Sequence, residues 1–322
     1  MEVFNLTLTQ MLNMFVLILT GFILKKLGAL PDGSDKVISK LETTAFVPAL
    51  ALSNQIANCT VENFVQNSRL MLYGLVIVVV AIGLAYPMSK LFVKDTSTRE
   101  LSYQRQIYKY ALTFGNYGYM GNFIILGIWG EEMFFKYLMF TFFPGLLCYA
   151  WGIYILIPKS DNSPGIIANL KNGLLKPPFL SLVLGMILGI TGIGKHIPQF
   201  LATALSNAGG CMGPAAMLLA GIVIGGYNFA ELIRNKKVYV VSLLRLIVIP
   251  AIFTIILKAL GTDTEIILLA LIAFATPLGL NTIVYPSSYG GDTKTGASMT
   301  MISHVLSVIT IPIMYLVFIE LL

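Results

Sequence analysis

Phe114-Gly115-Asn116-Tyr117-Gly118-Tyr119-Met120-Gly121-Asn122 and Ala275-Thr276-Pro277-Leu278-Gly279-Leu280-Asn281-Thr282 decide the reading of this chain. Each lies inside an apolar stretch long enough to cross a bilayer, and each resists continuous helix. Glycine lowers helix propensity by about 1 kcal/mol, and proline removes a backbone donor and clashes with the turn before it. An interrupted helix frees N–H and C=O groups that hydrocarbon cannot satisfy, so it persists only when buried in protein or lining a watery cavity. The two stretches therefore predict a polar site inside a membrane protein.

Composition agrees. Of 322 residues, 57% are apolar and 11% charged, against roughly 25% charged in soluble domains, so too little polar surface exists to coat a water-soluble globule. A spanning helix needs about 20 mostly apolar residues. Such stretches fall at 6–27, 37–57, 69–89, 108–128, 134–157, 177–194, 199–224, 238–260, 265–288 and 296–320. The first has no basic residue before it and meets Lys25 and Lys26 after it, the reverse of a secretory signal, so a retained helix is expected. The chain reads as an all-α integral membrane protein of ten transmembrane helices.

Basic residues mark the cytoplasmic joints. Sixteen of the 21 Lys and Arg residues, among them Lys25, Lys36, Lys40, Lys94, Lys176 and Lys237, fall in one alternate set of joints. Four, namely Arg69, Lys136, Lys195 and Lys258, fall in the other, and Arg245 lies within a span. Both termini are thus expected outside a cell membrane.

Five spans (1–158) precede a basic cytoplasmic linker (159–176) and five (177–322) follow it, so the halves must be inverted. Inverted repeats are the mark of secondary transporters that use alternating access. The irregularities also match: Pro48 in the second span has its counterpart in Gly213-Pro214 of the seventh, and Asn116 in the fourth has Asn281 in the ninth. Asn116 lies 68 residues after Pro48, and Asn281 lies 67 after Pro214. Pro48, Gly118, Gly213 and Pro214 are expected as helix breaks lining the site.

Together these features resemble the auxin efflux carrier family, within the bile acid, arsenite and riboflavin transporter group. The resemblance covers essentially the whole chain and is most specific in Phe114–Gly121 and in Ala275–Tyr285, with Tyr289-Gly290-Gly291-Asp292 closing span nine. It implies that helices four and nine are broken and cross near mid-membrane, that polar residues at the crossing bind an organic anion such as a carboxylate, and that the protein is a homodimer. By position, Asn116 matches the span-four crossing asparagine and Pro277 the span-nine crossing proline. Two positions depart from the family pattern: Phe123 stands where a proline is common, and Lys176-Pro177-Pro178 where Asn-Pro often opens span six.

The expected substrate-binding residues are Asn116, Tyr117 and Asn122 in span four and Pro277, Gly279, Asn281 and Thr282 in span nine. Each asparagine offers two donors and an acceptor, and a half-helix starting at a break adds positive potential for an anion. His304 and Arg245 are candidate coupling groups, since intramembrane ionisable residues are costly and often functional. Lys40 and Glu42 are expected to form an interfacial ion pair, and Cys59, Cys148 and Cys211 to be packing residues. No phosphate-binding loop and no metal-ligand spacing occurs, and the basic residues are scattered instead of forming a nucleic-acid face. No cofactor, metal or nucleic-acid partner and no enzyme activity is expected. The leading function is a carrier of a small organic anion; the alternative is a channel or a ligand-sensing membrane protein on the same fold.

Overall fold

The computed structural model describes residues 2–158, 165–288 and 290–321. The termini Met1 and Leu322, Lys159 and Asp161 in the linker, and Tyr289 of the span-nine motif lie outside the described residues. All regular structure described is helical. Five helices are long and apolar enough to cross a membrane unbroken: Val3–Lys26, Val61–Ser89, Gln199–Gly225, Lys236–Ala259 and Lys294–Leu321. A sixth candidate is the pair Arg99–Phe140 and Phe142–Leu156, bent by 53°. Pro177–Ile190 and Thr264–Ala275 are apolar but shorter.

Local chemistry sets these boundaries. The Thr60 and Thr98 hydroxyls accept the N–H groups of Asn63 and Leu101, starting the helices Val61–Ser89 and Arg99–Thr113; such caps satisfy donors a helix cannot pair. Within Asn122–Phe140, Gly130 has φ 77 and ψ −170. Only glycine takes that backbone readily, and it parts the predicted stretches 108–128 and 134–157.

The outward faces are oily: Val16, Val65, Leu72 and Val76 are each more than half exposed. Polar side chains such as Asn116, Thr276, Ser303 and His304 are buried. This inversion suits lipid as the outer solvent. Glu2–Lys26 lies so close to Met212–Gly225 that a Cβ at Gly221 would strike the Ile18 carbonyl, the small-residue contact favoured between membrane helices. Those two helices, together with 34–58, 177–190 and 199–210, pack mainly on one another, and the interrupted segments gather with 61–89, 236–259 and 294–315 in a second group.

Two prolines behave differently from expectation. At Pro48 the chain remains helical: Glu42–Phe46 forms a π turn directly before Val47–Asn58, and its wider winding makes room for the proline ring. At Pro214 the turn through Cys211 keeps right-handed helical angles, φ −72 and ψ −21, and Gln199–Gly225 is one span. Neither is an open break.

Candidate functional site

The first true break follows Arg99–Thr113. Phe114 is extended (φ −112, ψ 131), Asn116 has φ −85 and ψ 40, and a π turn over Tyr117–Gly121 leads back into helix at Asn122. The second follows Thr264–Ala275. Thr276 is extended (φ −67, ψ 145), as a residue before proline must be, and helix resumes at Asn281. The breaks meet: the Asn116 N–H donates to the Pro277 carbonyl at 2.6 Å. The Leu278 N–H donates to Ser303 Oγ at 2.9 Å, and Arg245 Nη1 donates to the Thr113 carbonyl at 3.1 Å. Backbone groups released by the interruptions are thus satisfied inside the protein, which lets them persist. Gly115 makes the approach possible, because a Cβ there would lie 2.6 Å from Arg245 Nη2 and 2.7 Å from the Thr276 carbonyl oxygen.

His304 Nδ1 lies 2.8 Å from the Thr300 carbonyl, which can only accept, so Nδ1 carries the proton. In the neutral ring Nε2 is then an acceptor, and Asn116 Nδ2 points at it from 3.5 Å. Asn281 Nδ2 donates to Tyr110 Oη at 2.8 Å and reaches Cys148 Sγ at 3.7 Å. Both asparagines are therefore held from behind. Together with Tyr119, Ser39 and Thr43 they line a pocket of about 40 Å³. It shares Ser39, Thr43 and Tyr285 with a larger cavity of about 740 Å³. Four lysines, Lys25, Lys36, Lys40 and Lys176, line that cavity against one acid, Asp35. A concave surface of one charge sign concentrates the opposite ion. Both spaces lie between the two helix groups.

The other expected residues are placed as follows. Tyr117, Gly118 and Asn122 face a separate space of about 100 Å³ on the far side of the π turn, and Tyr119 alone in that turn lines both spaces. Successive residues of a helical turn point in different directions, so one motif cannot face one cavity throughout. Pro277 takes part through its carbonyl, and Gly279 packs 3.6 Å from Asn116 Cα, measured to a Cβ built on it. Thr282 turns its hydroxyl to the Gly279 carbonyl at 3.2 Å and is fully buried. Gly213 does not line the site: a Cβ there would enter the ring of Phe123, the residue standing in place of the family's proline. Arg245 is 1% exposed, lies 5.3 Å from the Phe274 ring, and among the described residues leaves Nε without a partner. The expected Lys40–Glu42 ion pair does not form, since Glu42 is fully buried and among the described residues neither carboxylate oxygen has a partner.

Tyr110, Cys148 and Ser303, and the burial of Glu42, escaped the sequence reading. The first three act on the breaks from other helices, which spacing along one helix cannot reveal. Cys148 belongs to the site as well as to packing, whereas Cys211 is exposed. Glu42 carried a signal, an acid inside the stretch 37–57, but Lys40 two residues before it suggested a surface pair.

A helical chain with a lipid-like exterior, a polar centre and a charged cavity reaching that centre defines a membrane transport protein. Comparison places it: the family model described as "Membrane transport protein" matches residues 6–169 and again 165–315. The chain belongs to this family, that of the auxin efflux carriers. It is similar to the "Uncharacterized transporter YfdV" of Escherichia coli K12, at 22% identity over 318 residues, covering 94% of this chain and 95% of the relative. The proteins of the same description from Escherichia coli O157:H7 and Shigella flexneri match equally.

Proposed function

We propose that the protein is a secondary carrier of small organic anions, carboxylates foremost, working by alternating access in the cell membrane. The observation that supports this best is a lysine-rimmed cavity that shares lining residues with the small pocket of Asn116 and Asn281, which forms its floor in this reading. The rim gathers anions, and the floor offers amide donors prepared by His304, Tyr110 and the meeting breaks. Arg245, packed behind Gly115, adds positive potential without itself lining the pocket. With no nucleotide motif, the driving force is an ion gradient or the membrane potential.

In this reading the halves 1–158 and 177–322 form ten spans as inverted repeats, joined by 159–176, with both termini outside. The broken helices four and nine cross at the substrate. The lysine rim then faces the cytoplasm, and the conformation described is open inward. Asn54 Nδ2 donates to Glu131 Oε2 at 2.5 Å and to its carbonyl at 3.0 Å, tying the helix groups together at the outer end. Movement of the group holding the breaks against the other would expose the same asparagines to either side. A homodimer is part of the same reading.

Thermal melting of the purified protein against mono- and dicarboxylates tests it, because a ligand of the folded state raises apparent stability. The expected result is a shift with a subset of carboxylates that disappears in Asn116→Ala and Asn281→Ala. Equal shifts in parent and both variants would remove the site from the breaks.

A further inference from the structure

Glu42 is a carboxylate with no exposed surface, and among the described residues neither oxygen has a hydrogen-bond partner. Bringing an ionised group out of water without a counter-charge is strongly unfavourable. Among the described residues its surroundings supply none. The helices packed on the Glu42–Phe46 turn include Val47–Asn58, Pro177–Ile190, Gln199–Gly210 and Met212–Gly225, none of which carries a titratable residue. On its own helical run, Lys36 and Lys40 line the cavity beside Asp35, and neither reaches Glu42. The next residue in the chain, Thr43, lines the small pocket between the helix groups. Tyr119 lines the pocket that also holds Asn116 and Asn281.

A buried acid thus stands on one helix group beside Thr43, which borders the pocket where the breaks of the other group place Asn116 and Asn281. Ionised, it would repel an anion entering that pocket; carrying a proton, it would not. The neighbouring hydroxyls do not compete for the role, because Thr43 and Thr44 donate to carbonyls of their own helix.

We propose that Glu42 is a proton-binding site through which the carrier loads one proton with each anion, a proton–anion symport. This rests on the organic-anion reading of the cavity. Because binding linkage is reciprocal, the anion must favour the proton as much as the proton favours the anion.

The test uses the full-length protein in lipid nanodiscs. Without substrate, infrared difference spectra on acidification should show a protonated-carboxyl band in the parent that is missing in Glu42→Gln. The same band in both, its absence from the parent, or its removal by sodium in place of protons would overturn the proton site. With benzoate and succinate as probes, the parent's affinity should fall about tenfold per pH unit above the Glu42 titration, with about one proton taken up per anion. Glu42→Gln should bind with pH-independent affinity and no proton uptake. Proton uptake that survives in Glu42→Gln would overturn the coupling. Glu42→Met, neutral and of similar volume, repeats every arm should the glutamine variant melt early. If neither anion binds while the carboxyl band behaves as expected, the proton site stands and the organic-anion reading is what fails.

Discussion

Gly115→Ala tests whether the meeting of the two breaks is a packed joint. An alanine Cβ would lie 2.5 Å from Thr276 Oγ1, 2.6 Å from Arg245 Nη2 and 2.7 Å from the Thr276 carbonyl oxygen. The threonine is held by Pro277 after it, and the guanidinium by its bond to Thr113, so neither can simply swing aside. A comfortable carbon–oxygen contact needs about 3.3 Å, so the breaks must separate by about 0.6 Å. That would stretch the 2.6 Å bond between Asn116 and Pro277 to about the 3.2 Å limit of a good hydrogen bond. Overpacking typically costs 1–3 kcal/mol and a weakened buried bond about 1 kcal/mol, so a loss of about 2–4 kcal/mol is expected. Gly118→Ala is the internal control, since a Cβ there meets nothing within 4 Å. Melting followed by tryptophan fluorescence in one detergent should place Gly115→Ala well below the parent and Gly118→Ala at or above it. Coincident curves for Gly115→Ala and parent would refute the joint as a source of stability.

Asn116→Ala and Asn281→Ala should each weaken binding of the best carboxylate by about 1.5–3 kcal/mol, the range of a lost hydrogen bond to a charged group, with the fold retained; titration calorimetry reads this. Asn54→Ala should release the outer tie to Glu131 and favour the outward state about tenfold or more, given a charge-assisted bond of about 1.5–3 kcal/mol. Labelling of a cysteine placed beside Asn281 would then rise from outside and fall from inside, and unchanged rates would count against the tie. In a cysteine-free background, probes near Met1 and Leu322 should react from outside and one near Lys94 only from the cytoplasm; the reverse would invert the topology.

The breaks at 114–116 and 276–280 were readable from sequence because Gly-Asn and Thr-Pro act on the backbone locally, whatever packs around them. The same logic misled at Pro48 and Pro214. Proline forbids a helix only when the carbonyl four residues earlier must be paired and cannot move away. A π turn over Glu42–Phe46 gives Pro48 that room. Gly213 carried the right signal, a need for space, but the space is taken by Phe123 and not by substrate. What could not be read was the far side of each contact. Nothing in the local sequence joins His304 to Asn116 or Tyr110 to Asn281, which lie 188 and 171 residues apart. Such pairs follow only from the way the helices assemble.

Arg245 and Glu42 give the proposed cycle its electrostatic logic. Both are buried, and among the described residues neither has an opposite charge within salt-bridge distance. Arginine keeps its charge in proteins, so the site behind Gly115 is permanently short of a negative partner, and an anion at the asparagines lowers that cost. Glu42 presents the opposite problem on the other helix group, and a proton solves it. An empty carrier therefore holds one uncompensated charge on each side of the cavity, whereas a carrier loaded with anion and proton holds neither. Sliding one group past the other carries these charges through a low-dielectric interface, where an unpaired charge is most unfavourable. In the proposed cycle the loaded protein thus crosses between its two states more readily than the half-loaded one, and that difference would couple the two fluxes.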